Sequence, residues 1–353
     1  MIPFTRIGVD PVTAGRIHAR SGGRGETIDV LIPAAEKDLG TLPHAIDSVR
    51  SMVRHPIGAI YVVSPDSPRI RAVCARKGCR FVNERRIEPI AKSRIRYRSK
   101  RWNRSGWLYQ QLLKRSGDRL VRHRHFLVMD ADTVLIRPHR FRIGGKTVFY
   151  YRRWSQPEYF RTYRRLTGRR PKAKVSFVAH YMLFDRHQLG RLKAMIEARH
   201  GKPWHRAILD SIDRTKNFGF SEYETYGNLV YGQNPSAVKL LPARNLALRR
   251  SASSLTAAEK RRYARKYRSL SFHKRGVYAR GTGRQAARTR PAASGKRGGR
   301  PRGRADKPPE FVPPAARFPP TKAARAACQA SRADCRLSLR VESSPSADPR
   351  PSA

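Results

Sequence analysis

The chain has 353 residues, 76 Lys and Arg against 25 Asp and Glu, a formal net charge of +51, four cysteines and 39% hydrophobic residues. That apolar share can build a core when it is concentrated, which excludes a wholly disordered or fibrous chain. No run reaches the roughly 18 apolar residues of a membrane span, and no apolar stretch follows the N-terminal charges, so a cytoplasmic protein is expected.

A cationic excess of this size suits a polyanion, either nucleic acid or an anionic membrane surface, through release of counterions. It is spread over the whole chain, however, with 58 Arg against 18 Lys, the ratio that a GC-rich coding sequence also produces. Charge alone therefore does not choose a partner. Cys74, Cys79, Cys328 and Cys335 lack the two-residue spacing of a zinc knuckle and read as reduced thiols.

Residues 1–26 read as an N-terminal extension and 27–279 as one α/β domain. A β-branched apolar run at 27–33, ended by Pro33, predicts a buried strand. Leu42, Ile46, Val49 and Val53 then mark a helix, 59–63 a second strand, 69–76 a helix and 79–83 a third strand. Strand and helix alternate at the spacing of βαβ units, which predicts a mostly parallel central sheet flanked by helices. Residues 85–104 interrupt this rhythm with nine Lys and Arg, a solvated loop or a surface for a polyanion such as a pyrophosphate or an anionic lipid. A helix follows over 105–114, with Ser105 as its N-cap.

The fourth strand, from Phe126, runs into Asp130-Ala131-Asp132-Thr133-Val134-Leu135. At spacing two on an extended backbone both carboxylates face one way, and like charges set in an apolar run call for a compensating cation. Mn²⁺ or Mg²⁺, shared with substrate phosphates, is the natural one at the C-terminal end of a parallel strand. Two enzyme classes use this pattern. Nucleotide-sugar glycosyltransferases of the GT-A fold hold a metal with Asp-x-Asp, and haloacid-dehalogenase-like phosphatases use the first Asp as nucleophile and the second as acid/base. About 100 residues of α/β material precede the motif and no later acidic pair completes a phosphatase site, so the context favours the transferase. A polyanion-binding protein with an inert α/β scaffold is the third reading.

Further on, residues 146–152 predict a strand, followed by a helix bearing Tyr159 and Tyr163. Residues 175–184 read as a strand with His180 embedded, 185–199 as a helix ended by His200-Gly201, and Pro203 as the first turn of another. Ser221 and Glu224 form a capping box, which gives Glu224 a structural task and leaves Glu222 as the acid available for chemistry. His273 lies on a strand-like piece before an Arg, Gly, Pro and Ala-rich stretch, 281–353, that reads as a disordered basic tail.

Taken in order, Gly106-Trp107, Gln110-Gln111-Leu112, Lys114, Asp130 and Asp132, His200-Gly201-Lys202-Pro203-Trp204, Phe220-Ser221-Glu222-Tyr223 and Tyr226-Gly227 resemble a bacterial family of GT-A-type glycosyltransferases known mainly as a domain of unknown function. The resemblance spans about residues 28–231. It implies a Rossmann-like GT-A domain that moves a sugar from a nucleotide-sugar donor to a polysaccharide or glycolipid-type acceptor, peripheral at the inner face of the membrane if that acceptor is lipid-linked. On this reading Asp130, Asp132 and His273 hold the metal. Pro33, Asp38, Asp66, Gln110, Gln111, Lys114 and Asp130 line the donor site, Glu222 is the general base, and His180 stands on the acceptor side.

Overall fold

A computed structural model describes residues 26–272, all within the unit Met1–Ala286. The expected N-terminal extension before residue 26, His273, Cys328, Cys335 and the expected tail lie outside the described residues. The chain opens with β1 (Ile28–Pro33), α1 (Leu42–Met52), β2 (Ile57–Ser64), α2 (Pro68–Arg76), β3 (Arg80–Asn83), α3 (Ser105–Arg115) and β4 (His125–Met129). Two short strands, β5 (Thr133–Leu135) and β6 (Arg142–Ile143), lead to β7 (Lys146–Tyr151), α4 (Pro157–Thr167), β8 (Tyr181–Asp185), α5 (Arg186–His200), α6 (Trp204–Ser211) and α7 (Glu222–Gln233). The described part closes with β9 (Val238–Pro242), β10 (Asn245–Ala247), α8 (Ala257–Ala264) and β11 (Ser269–Ser271).

The central sheet has the order β3-β2-β1-β4-β8. Its first four strands are parallel, as the βαβ rhythm predicts, and β8 pairs antiparallel with β4 at the edge. Because side chains alternate across a strand, Leu31, Val63, Phe126 and Val128 pack on one face, where α3, α5 and α7 cover them. Val30, Ile32, Val62 and Leu127 pack on the other face against α1 and α2. Both faces are thus dry, and ligands are left the ends of the strands. Gly117, just past α3, sits where a Cβ would meet Leu31 at 2.6 Å and Phe126 at 2.9 Å, so glycine lets the helix end press onto the sheet. Two three-stranded sheets, β10-β11-β5 and β6-β7-β9, flank the main one.

Several local expectations change. Arg104, not Ser105, stands at the N-cap of α3, and the Ser105 hydroxyl instead accepts the Tyr97 N–H at 3.1 Å, tying the helix to the preceding loop. That loop is not merely solvated, since Ile87, Ile90, Ile95, Tyr97 and Arg104 are buried. The stretch 175–184 is not one strand, because β8 begins only at Tyr181, after His180 at φ +70°. Pro203 is the N-cap of α6 rather than part of its first turn. Ser221 caps α7 by accepting the Glu224 N–H at 3.2 Å, but the Glu224 carboxylate turns away to other partners, so the box is half formed. Among the described residues no helix is long and apolar enough to cross a membrane.

Candidate active site at the end of the fourth strand

β4 is buried through Met129 and then delivers Asp130, Ala131 and Asp132 into a turn. Ala131 is buried and both acids are partly exposed, but Ala131 and Asp132 lie in a turn, so the extended alternation expected of the two carboxylates does not continue past Met129. The Asp130 N–H donates to the His180 carbonyl at 2.9 Å, and the His180 Nδ1 lies 3.0 Å from Asp130 Oδ2. These two bonds hold His180 in the left-handed backbone region, which a side chain with a Cβ adopts at a cost of about 1–3 kcal/mol.

The other Asp130 oxygen, Oδ1, accepts from Lys114 Nζ and from the Tyr223 hydroxyl, the latter at 3.2 Å. Lys114 arrives from the last turn of α3, three and four residues after Gln111 and Gln110, so one helix face presents all three. Its ammonium also donates to Glu222 Oε1 at 2.6 Å and lies 4.5 Å from the centre of the Tyr223 ring. Burial alone would lower the Lys114 pKa, but the carboxylates of Asp130 and Glu222 hold it above its ordinary value. Asp130 is driven well below the carboxylate range, where Lys114 and His180 outweigh its desolvation. Glu222 is raised by burial, with Lys114 pulling against it.

Gln111 Oε1 accepts the Glu222 N–H at 3.1 Å, and its buried Nε2 has no hydrogen-bond partner. Gln110 Nε2 donates to the Pro33 carbonyl at 3.2 Å, which places both at the C-terminal end of β1. Asp38 is buried, accepts the Ala35 N–H at 2.9 Å and pairs with Lys37. Burial raises its pKa against Lys37, and the nearby charge of Asp132 adds to the rise, so these two acids share one electrostatic neighbourhood. Asp66, by contrast, is exposed beyond β2 and bonded to Arg71 at 2.8 Å, outside the cluster around Asp130.

The structure therefore gathers Lys114, Asp130, His180 and Glu222, sets Pro33, Gln110 and Gln111 against them, and leaves Asp66 at the surface. Tyr223 was legible only as a motif member. Its signal was a phenol beside Glu222 in an apolar setting, which needs a partner when buried. Arg115 was not legible at all: it is fully buried, none of its guanidinium nitrogens is hydrogen-bonded, and desolvation pulls its pKa down to about 10.

A divalent ion suits this donor set in part. Carboxylate oxygens are the right ligands for Mg²⁺ or Mn²⁺, yet Asp130 already engages both oxygens with Lys114, Tyr223 and His180. Among the described residues no group of three or more His, Cys, Asp or Glu is placed to hold a metal. The carboxylates of Asp130 and Asp132 are thus of the right chemical kind for such an ion, but the described residues do not by themselves complete a site.

Residues 41–250 match the model described as "Family of unknown function (DUF6492)". No curated protein matches the chain. Among solved structures it is similar to mouse xyloside xylosyltransferase 1 in its apo form, at 12% identity over 70% of this chain and 98% of that one, with a TM-score of 0.40. An active-site mutant of LgtC is 16% identical over 69% of this chain and 87% of its own, also at 0.40. The bifunctional glycosyltransferase WbbM matches at 13% identity over 70% of this chain and 46% of its own, at 0.35.

Proposed function

The chain belongs to the DUF6492 family, and from that premise and the site geometry we propose that it is a metal-dependent glycosyltransferase moving a sugar from a nucleotide-sugar donor to a saccharide or lipid-linked acceptor. One observation carries the reading. Asp130 and Asp132 stand together at the C-terminal end of a parallel strand, with a protonated lysine fixed beside the first of them. Acids facing solvent at that end of a parallel sheet are placed for a ligand rather than for the core.

Asp132 would hold Mn²⁺ or Mg²⁺, assisted by Asp130 and by His273, which lies outside the described residues. When bound, the ion supplies a Lewis acid to the leaving nucleoside diphosphate. Lys114 keeps its proton, fixes the Asp130 carboxylate and adds positive charge to the site. Glu222 is buried and bonded to that same ammonium, so its role here is to position Lys114 rather than to take a proton from an acceptor hydroxyl. His180 is better set for that step. Its Nδ1 lies 3.0 Å from Asp130 Oδ2, which holds the imidazole beside the two acids as a proton-transfer group. Gln110, Gln111 and Pro33, with Asp38 near Asp132, form the donor side. Asp130 with both oxygens occupied is ill suited to the nucleophilic role that a phosphatase would require.

Purified protein with Mn²⁺ is expected to hydrolyse or transfer from at least one nucleotide sugar, to lose this with a chelator, and to lose it in Asp132→Asn. Donor binding that needs no metal and ignores Asp132→Asn would overturn the assignment. Phosphomonoester hydrolysis abolished by Asp130→Asn would establish the phosphatase instead.

A further inference from the structure

The basic loop before α3 meets α6 and the residues after it at a concave place that the transfer chemistry does not use. Arg94 and Arg96 from the loop and Arg206 and Arg214 from the other side line a cleft of about 210 Å³, with Tyr97, Leu108 and Ile212 as its buried apolar floor. All four arginines are exposed, and none makes an ion pair among the described residues. The one carboxylate lining the cleft, Asp210, is bonded to Lys202 at 3.0 Å. Four arginines that line one cleft from two chain segments concentrate positive charge there, and their planar donor forks match phosphate oxygens in pairs. An apolar floor lowers the local dielectric and strengthens such contacts.

The cleft is also wired to the site. The Tyr97 hydroxyl accepts the Gly219 N–H at 2.8 Å and donates to the Lys216 carbonyl, while Arg104 Nε donates to the Asn217 carbonyl at 3.0 Å. The segment thus clamped runs directly into Ser221 and Glu222, and α3 runs from Leu108 at the cleft to Lys114, about 9 Å along its axis at the helical rise.

We propose that this cleft binds a phosphate group carried by the acceptor, so that the acceptor is a phosphate-bearing molecule anchored about 9 Å along α3 from Lys114. The name acceptor rests on the glycosyl-transfer reading; the binding site does not. The phosphate ester can belong to a soluble compound or to a lipid headgroup, and the test separates them. Full-length protein without donor is titrated with sn-glycerol 3-phosphate and, separately, with vesicles of phosphatidylglycerol in phosphatidylcholine. Two double variants are compared, Arg96→Gln with Arg214→Gln in the cleft, and Arg261→Gln with Arg265→Gln on exposed α8 and its C-cap, which remove equal charge. Saturable binding of at least one probe is expected, weakened about tenfold by the cleft pair and less than about twofold by the α8 pair. Binding of both probes identifies a phosphate ester as sufficient, and binding of vesicles alone identifies a lipid headgroup. Equal weakening by the two pairs would show bulk charge at work and overturn the site, as would the absence of saturable binding. Since no donor is present, failure of nucleotide-sugar turnover leaves this result standing.

Discussion

Two carboxylates lie two residues apart at the start of α7, both buried, and their surroundings solve one electrostatic problem in opposite ways. Glu222 faces the end of β4, where a cation, Lys114, bridges it to Asp130. Glu224 faces the segment between α4 and β8, where the hydrogen-bond donors that meet it among the described residues are neutral: Ser176 Oγ at 2.6 Å, Asn228 Nδ2 at 2.8 Å, the Phe177 N–H and, more distantly, Ser155. Neutral donors compensate a buried charge less than an ammonium does, and burial pushes Glu224 up to about 7 despite them. A cation-balanced cluster keeps a fixed charge pattern, as a site for a charged donor requires. A carboxylate held by neutral groups acts as a structural tie with a pH limit.

The largest effect that could break this contrast comes from Lys114→Met. Leaving Asp130 and Glu222 without their shared cation should cost about 3–5 kcal/mol of stability, measured by chemical denaturation, and abolish turnover. A stable variant would mean that the two regions are compensated alike. Next is pH. Glu224 is raised from 4.5 to about 7 in the folded protein, so between those values the native state binds more protons than the unfolded one. Its contribution should therefore decline as pH rises from about 4.5 to 7 and level off above, by up to about 3 kcal/mol. Glu224→Gln should remove its share of that slope in denaturation curves taken across the window, while Glu222, also raised by burial, leaves a decline of the same sign in place.

Arg115 offers a smaller but sharper test, since it is a buried charge with neither solution. Replacing it with Met, of similar length, should raise stability by about 1–3 kcal/mol, because the desolvation of an unbonded polar group is relieved. A loss of stability would show that its attraction to Glu222 outweighs that cost. The smallest change is Ser176→Ala, which removes one neutral donor to Glu224. About 1 kcal/mol should be lost, and the midpoint of the pH-dependent decline should move upward, as a less compensated carboxyl holds its proton longer.

Much of the scaffold was readable in the chain. Short apolar runs alternating with 3.6-residue periodicity marked β1 to β4 and α1 to α3 within a few residues, most clearly at β1 and β4, where burial on both faces leaves a near-continuous apolar trace. Asp130 and Asp132 stood out for the same reason, as charges inside such a trace. The antiparallel β8 was not readable, nor was the break at His180, because the run 175–184 is apolar whether or not its backbone turns. Ser105 and Glu224 had the residue types of caps, but tertiary partners, Tyr97 and Ser176, claimed their side chains.

What the sequence determined by itself is local: which segments are strands and helices, that the sheet is mostly parallel, and that two acids end its fourth strand. Those follow from periodicity and from the cost of burying like charges. The tertiary structure alone decided which groups answer those acids. Lys114 and Glu222 are 108 residues apart in the chain and 2.6 Å apart in the fold, and nothing in either neighbourhood specifies the other. Such a pairing is set by the packing of α3 against α7 over one face of the sheet, where every layer between them must close before two charges can meet.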